Sequence, residues 1–347
     1  MYCKSPISPD LPQFKANLHS HSNLSDGRLT PEDMVKAYKA RGYSILAITD
    51  HEAPYDHTDL GTPDFLMLTG YEAYIRPSSN CQLDIYGPEI HLNLLAREPH
   101  NTCFVAYDPN FCKYMPHGLA ESREQAGKIG PRRYDRDYIR RFIQEANKAG
   151  YLVTYNHPNW SMEEPEEILH YDGFFSLEIF NTGSMVINGH ENNLGLYDRL
   201  LRHGKFPYVH GADDNHNKRP FGDPLCDSFG AWTMIIAPEL SYPAIIRALD
   251  RGDFYASTGP EIRELRFEDK HVTLRCSDAR RIIMHMSPKR TQNVCARPGE
   301  TVDQAEFNIP DGAPYVYFSV FGPDGTEAHT RAYPLGETNV CRAGEGE

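Results

Sequence analysis

Alternating strand-like and helical segments over residues 14–214 predict an α/β protein built on a parallel sheet or barrel, followed by a small β-sandwich. Three observations carry this. Short apolar runs recur along the first two thirds of the chain, and segments of helical spacing lie between some of them. After about residue 258 the helical period gives way to short strands, "VTLRCS", "RIIMHMS", "AEFNIP" and "YVYFSVF", the last followed by a Pro-Asp-Gly-Thr turn.

The elements follow in order. "FKANLH" (14–19) reads as a strand. "TPEDMVKAYKARG" (30–42) reads as a helix, with Thr30 as N-cap, Pro31 at the first helical position, an apolar face of Met34, Val35 and Tyr38, and Gly42 as its stop. "SILAIT" (44–49) is a continuous apolar run, as expected of a strand buried on both faces. "FLMLTGYE" (65–72) and "EIHLNLLA" (89–96) are the next strands. The stretch 98–134 carries Pro, Gly and aromatics without periodicity and is too long for a simple connector, which predicts a lid or binding insertion. In "DRDYIRRFIQEANKAG" (135–150), Tyr138, Ile139, Phe142, Ile143 and Ala146 fall at helical spacing. "YLVTYNH" (151–157), "FFSLEIF" (174–180) and "FPYVHGADD" (206–214) complete the strands. Two units are expected: 1–258, and a sandwich at 262–335 joined through "YASTGPEI", with a frayed tail at 338–347.

Composition narrows the function. A net charge of −13 opposes a nucleic-acid phosphate track. No run of about 18 apolar residues is present to span a membrane, and the first residues lack the apolar stretch of a signal peptide. The 8 cysteines include no CxxC pair, which reads as reduced thiols in a cytoplasmic protein. The sequence does not address oligomeric state.

Polar residues with metal affinity recur at the strand ends. His19 and His21 end the first strand, His51 the second and Glu72 the third. His91 lies in the fourth, His157 ends the fifth, and Asp214 and His216 follow the seventh. In an α/β barrel the C-terminal strand ends form the face where active sites are built. The side-chain period of two places His19 with His21 on one side, and Asp214 with His216, sending Asp213 to the other. Imidazole and carboxylate together suit Zn, Mn or Fe rather than Ca or Mg.

The ordered set HSH (19–21), SDG (25–27), TDH (49–51), GYE (70–72), IHLNLL (90–95), NHP (156–158) and DDNH (213–216) resembles the polymerase-and-histidinol-phosphatase family of metallohydrolases. "RALDRGDFYASTGP" (247–260) and the strands after it resemble more narrowly the branch containing carbaryl hydrolase. The resemblance implies a distorted seven-stranded (βα) barrel with two or three divalent metals, Zn, Mn or Fe, at its mouth. It implies that His19, His21, Glu72 and Asp214 hold one metal, that Glu72, His91 and His157 hold a second, and that Asp26, His51 and His216 hold a third. Glu72 would bridge, and Glu72, His216 and a metal-bound hydroxide would carry the chemistry. Around these, Asp50 is expected to orient a ligand histidine or to cap a strand end, Asp213 to cap a turn or orient a neighbour, and Glu178 and Asn181 to line the pocket or to satisfy local hydrogen bonds. Arg76, Lys218 and Arg219 read either as exposed surface charges or as candidate anion-binding residues. The expected reaction is hydrolysis of a small phosphomonoester or phosphodiester; the alternatives are a carbamate, amide or carboxylic-ester hydrolase on the same centre, or a metal-binding module without catalysis.

Overall fold

The computed structural model describes residues 3–77, 87–190 and 193–335. The tail expected to fray at 338–347 lies outside them. The chain runs β1 (Cys3–Ile7), β2 (Gln13–Asn17), α1 (Pro31–Lys39), β3 (Ile45–Ala47), β4 (Leu66–Leu68), β5 (Gly70–Ile75) and β6 (Ile90–Ala96). Within 98–134 lie β7 (Phe104–Val105), α2 (His117–Ser122) and β8 (Gln125–Ala126). There follow α3 (Arg136–Lys148), β9 (Tyr151–Tyr155), α4 (Pro165–Ile168), β10 (Ser176–Asn181), α5 (Leu194–Arg202), β11 (Tyr208–Ala212), β12 (Trp232–Ile236), α6 (Tyr242–Arg251) and β13 (Phe254–Ser257). The last strands are β14 (Ile262–Glu268), β15 (His271–Ala279), β16 (Arg281–Ser287), β17 (Arg290–Cys295), β18 (Val302–Asn308), β19 (Tyr315–Phe321), β20 (Glu327–Thr330) and β21 (Tyr333–Pro334).

Local chemistry explains the helices. The Thr30 hydroxyl accepts from the Asp33 amide at 3.2 Å, satisfying an open donor of α1, and Met34 and Tyr38 are buried. Asp135 caps α3 through the Tyr138 amide at 2.8 Å, and the five apolar residues at helical spacing are its buried face. β12, α6 and β13 fall in a stretch where the sequence reading placed no elements.

The strands do not close into one seven-stranded barrel, and the sheets are mixed rather than parallel. One sheet runs β11-β10-β9-β6-β5, with β9, β10 and β11 parallel but β5–β6 and β6–β9 antiparallel. The other runs β17-β16-β19-β20-β13-β12-β2-β3-β4, in which only β2, β3 and β4 are parallel. The run 65–72, a single strand by pattern, is where the sheets part. β4 pairs with β3, and one residue later β5 pairs with β6. At that point a Cβ on Gly70 would sit 2.8 Å from the Leu94 carbonyl oxygen, so the two backbones approach closely only because residue 70 is glycine. Isolated bridges between Ser20 and Asn215 and between His51 and Glu72 join segments near the strand ends.

Beyond β13, a third sheet of β1-β14-β15-β18 shares a buried cluster with the adjacent strands; Leu265, Phe267 and Leu274 meet Met284, Phe318 and Val320 there. β20 hydrogen-bonds β13, so the second sheet continues from the C-terminal strands to β2 and β3 without a break. Phe104, Cys112, Met115 and Ala120 of 98–134 belong to the main core cluster with β5, β6 and β9.

Candidate metal centre

His19, His21, Asp26 and His51 lie in the turns after β2 and β3, Glu72 and His91 lie within β5 and β6, and His157, Asp214 and His216 follow β9 and β11. Glu72, fully buried, is the hub. Its Oε1 lies 3.1 Å from His19 Nε2, 3.1 Å from His91 Nδ1 and 3.4 Å from His157 Nε2. Its Oε2 lies 3.0 Å from His51 Nδ1 and 3.5 Å from His21 Nε2. Asp214 Oδ1 stands 3.1 and 3.0 Å from the Nε2 atoms of His19 and His21, and Asp26 Oδ1 stands 3.2 Å from His216 Nε2.

Four overlapping sets have donors close enough for one ion: His19, His21 and Glu72; His19, His157 and Asp214; His51, Glu72 and His91; and His21, Asp26, His51 and His216. All nine residues named from the sequence are brought together. The grouping differs in detail from the one implied by resemblance, since His91 sits with His51 and Glu72, and His21 also faces the Asp26 set, its ring stacked 4.3 Å from His51 and 4.4 Å from His216.

The donors fit divalent ions. Buried atoms of five of these residues, His21 Nδ1, Asp26 Oδ1, His51 Nδ1, Glu72 Oε2 and His91 Nδ1, make no hydrogen bond of proper geometry within the protein, although the last four stand 3.0–3.2 Å from another atom of the cluster. Each such atom left unpaired costs about 1–3 kcal/mol, and so many in one place fit a site that cations complete. The mixed nitrogen and oxygen donors suit Zn, Mn or Fe.

Electrostatics within the cluster follow from burial set against close charge. Burial opposes ionisation of Glu72, but His91, His19 and His51 outweigh it and hold its carboxyl well below the usual range. Burial would lower His91, yet Glu72 and then Glu89 push it up to about 10. His21 is held down to about 4 by burial and then by His51 and His216. Burial opposes charging His19 as well, but Asp214, Glu72 and Glu178 raise it.

A supporting layer fixes these groups. Glu178 Oε1 lies 3.0 Å from His19 Nδ1, while its Oε2 accepts from the His157 amide at 2.9 Å and from Asn181 at 2.9 Å. Glu178 therefore holds one ligand ring and the backbone of another. Asn181 also donates to Asp214, and Asn156 donates to Glu72 Oε1 at 2.8 Å. Asp50 contacts no ligand ring nitrogen; its carboxylate accepts from the Ser22 amide, the Ser22 hydroxyl and the Ser25 hydroxyl, and so holds the loop leading to Asp26. In that loop a Cβ on Gly27 would meet the His21 carbonyl oxygen at 2.2 Å, which accounts for the glycine of "SDG". Asp213 points away from the centre, where it accepts from the Tyr38 and Thr182 hydroxyls and from the amides of Phe229, Gly230 and Ala231. Asp214 and His216 share a side, but not through strand alternation. β11 ends at Ala212, and Asp214 turns with φ +52°.

Glu89, unnoticed in the sequence, lies 2.6 Å from His91 Nε2. Its signal was there: two residues before His91, it shares that residue's side of an extended chain.

The centre opens into a cleft of about 470 Å³. Arg76 and Lys218 line it, as does Lys113 from 98–134, for which the sequence offered no signal. Arg219 does not line it and is exposed. Arg76 Nη1 is 3.7 Å from Glu89, and Lys218 Nζ is 3.6 Å from Asp26.

Residues 17–155 match the PHP domain, whose family is the one the ordered motifs resemble. The chain is 31% identical over 131 residues to the error-prone DNA polymerase of Mycolicibacterium paratuberculosis, a match covering 36% of this chain and 11% of that polymerase. Among solved structures it is similar to a two-domain protein of Bacteroides vulgatus containing a predicted PHP-like metal-dependent phosphoesterase, at 17% identity and TM-score 0.42, covering 94% of this chain and 97% of that one. It is also similar to an amidohydrolase of Chromobacterium violaceum with bound sulfate, at 18% identity and TM-score 0.37, covering 58% and 87%. The narrower resemblance to the carbaryl-hydrolase branch finds no support in these matches. Among the described residues no helix is long and apolar enough to cross a membrane.

Proposed function

We propose that this chain is a metal-dependent hydrolase of a small phosphate ester. The observation that carries the reading is a nine-residue ligand cluster bridged by Glu72 at the floor of a cleft lined by Arg76, Lys113 and Lys218. Two or three divalent ions, Zn, Mn or Fe, would be held by His19, His21, Asp26, His51, Glu72, His91, His157, Asp214 and His216. Such ions lower the pKa of water and polarise the bond attacked.

The chain's own residues do the rest. Arg76, Lys113 and Lys218 bind the anionic group and orient it over the ligands. Glu178 and Glu89 fix the rings of His19 and His91. Asp26 and His216 have side chains 28% and 19% exposed, which makes this edge of the cluster the one a substrate meets first. Glu72 and His216 are the catalytic groups in this reading, the first bridging two ligand sets and the second facing the entering ester. The charge of −13 favours a small ester over a polynucleotide.

A carbonyl substrate (carbamate, amide or carboxylic ester) could use the same centre, and one experiment separates the two. Purified protein loaded with Mn or Zn is assayed on phosphomonoesters, phosphodiesters, aryl carbamates and carboxylic esters. Phosphate release that His157→Ala abolishes without loss of fold is expected. Carbamate turnover with every phosphate ester inert would overturn the proposal.

A further inference from the structure

The cleft has an apolar rim that metal chemistry alone does not require. Nine large apolar side chains are exposed among the described residues, and three of them, Tyr114, Trp160 and Ile187, line this one cleft. Isolated exposed apolar residues are ordinary, but a cluster at a concave site is a binding feature. The Trp160 ring stands edge-on to His91 at 5.1 Å and to His157 at 4.9 Å, and Tyr114 stacks on His51 at 6.4 Å. The His51 and His91 rings are 5.5 Å apart, so Tyr114 and Trp160 flank two rings of the cluster in a continuous path of ring contacts. Arg76, Lys113 and Lys218 line the same cleft. A ligand combining an anion with a flat apolar group matches both features.

We infer that Trp160 and Tyr114 form a leaving-group subsite, selecting phosphate esters of flat aromatic alcohols over those of alkyl alcohols. This rests on the phosphoesterase reading and names its substrate class. The supports are rigid. Trp160 lies in the turn after His157, where the Ser161 amide donates to the His157 carbonyl at 3.0 Å and the Glu89 amide donates to the Ser161 carbonyl at 3.0 Å. Tyr114 lies between the buried residues Cys112 and Met115. Both rings are thus held at the mouth by anchored backbone, an arrangement in which stacking costs little ordering entropy.

The test pairs binding with turnover. Metal-loaded protein is titrated with phenylphosphonate and with methylphosphonate while Trp160 fluorescence is followed in a Trp232→Phe background. Phenylphosphonate should bind about tenfold more tightly and change the emission. KM for phenyl phosphate should rise about tenfold in Trp160→Ala and Tyr114→Ala, with little change for glycerol phosphate, while bound metal, measured by elemental analysis, stays constant. Equal binding of the two phosphonates, or an equal rise in KM for both esters at constant metal content, would overturn the subsite. Loss of metal in Trp160→Ala would show that the ring serves the ligand histidines, and would overturn it too unless Tyr114→Ala alone shows the selective rise. A phosphate-ester panel on which the unaltered protein is inert would refute the phosphoesterase reading itself; phosphate-ester turnover without aryl preference would refute only the subsite.

Discussion

Replacing Asp213 and Asp214 by alanine, one at a time, should produce two different failures from adjacent carboxylates. Asp213 is fully buried and accepts five hydrogen bonds: Tyr38 at 2.7 Å, Thr182 at 2.6 Å, and the amides of Phe229, Gly230 and Ala231 at 2.8, 3.0 and 3.1 Å. Its removal strips four donors of their acceptor, while the Tyr38 hydroxyl keeps Asn215 Oδ1 at 2.7 Å. At about 1–3 kcal/mol for each of the four groups left unpaired, the loss is on the order of 4 kcal/mol or more, against a total stability of about 5–15 kcal/mol. Asp213→Ala is therefore a folding defect, expected to show as a large fall in the urea midpoint of the metal-free protein. Asp214 instead faces His19, His21 and His157, and its side chain is 14% exposed. Asp214→Ala should keep most of the metal-free stability and lose at least one equivalent of bound metal by elemental analysis. A stable, metal-poor Asp213→Ala beside a metal-replete Asp214→Ala would refute the assignment of the two carboxylates.

Other outcomes follow from the same contacts. Chelation should lower the thermal midpoint, and metal at one hundred times its dissociation constant should restore about 2.7 kcal/mol; a midpoint indifferent to metal would count against the centre. Glu178→Gln leaves His19 Nδ1 without its carboxylate partner and should weaken metal binding about 10–100-fold, read by competition with a chelating dye; unchanged affinity would refute the positioning role. Arg132 pairs with Glu52 in the core, with Nη2 to Oε2 at 2.8 Å, so Arg132→Ala strands a buried charge and should cost about 3–5 kcal/mol in urea unfolding; a loss under about 1 kcal/mol would contradict it. Burial, with Glu167 and Glu164 nearby, pushes the Glu163 carboxyl up to about 8 from 4.5. The folded state then holds the proton more tightly, so this stabilisation is complete below about pH 4.5 and is lost as pH rises towards 8, at most about 5 kcal/mol and roughly half that after solvent screening. Glu163→Gln should flatten that part of the stability profile, and a profile parallel to the unaltered protein's would refute it.

The candidate ligand residues were legible because their signal is local. Most lie within or shortly after segments marked by apolar runs, and one spacing, two residues, brings His19 and His21 to the same place whichever sheet forms. The faces of α1 and α3 were legible for the same reason, since helical hydrogen bonds close within four residues. The direction of strand pairing was not. The run 65–72 has a single apolar pattern, yet β4 and β5 join different sheets, because pairing depends on backbone partners far along the chain. Arg219 was placed beside the anion site by adjacency to His216 and lies outside the cleft, since the turn after Asn217, itself at φ +55°, sends consecutive side chains in different directions.

The chain by itself determined which atoms are available: six imidazoles and three carboxylates within or after the strands, a capped helix after the first of them, and glycines where backbones must touch. Only the tertiary structure decided how those donors are shared. It placed Glu72 between two ligand sets, set His21 against the Asp26 group, turned Asp213 inward to five donors, and brought Tyr114 and Lys113 from 98–134 to the cleft that Trp160 borders. The physical reason is range: residue type and short-period spacing are carried by covalent neighbours, whereas hydrogen-bond partners, burial and charge proximity arise from segments separated by as many as 260 residues, as between Ser5 and Leu265.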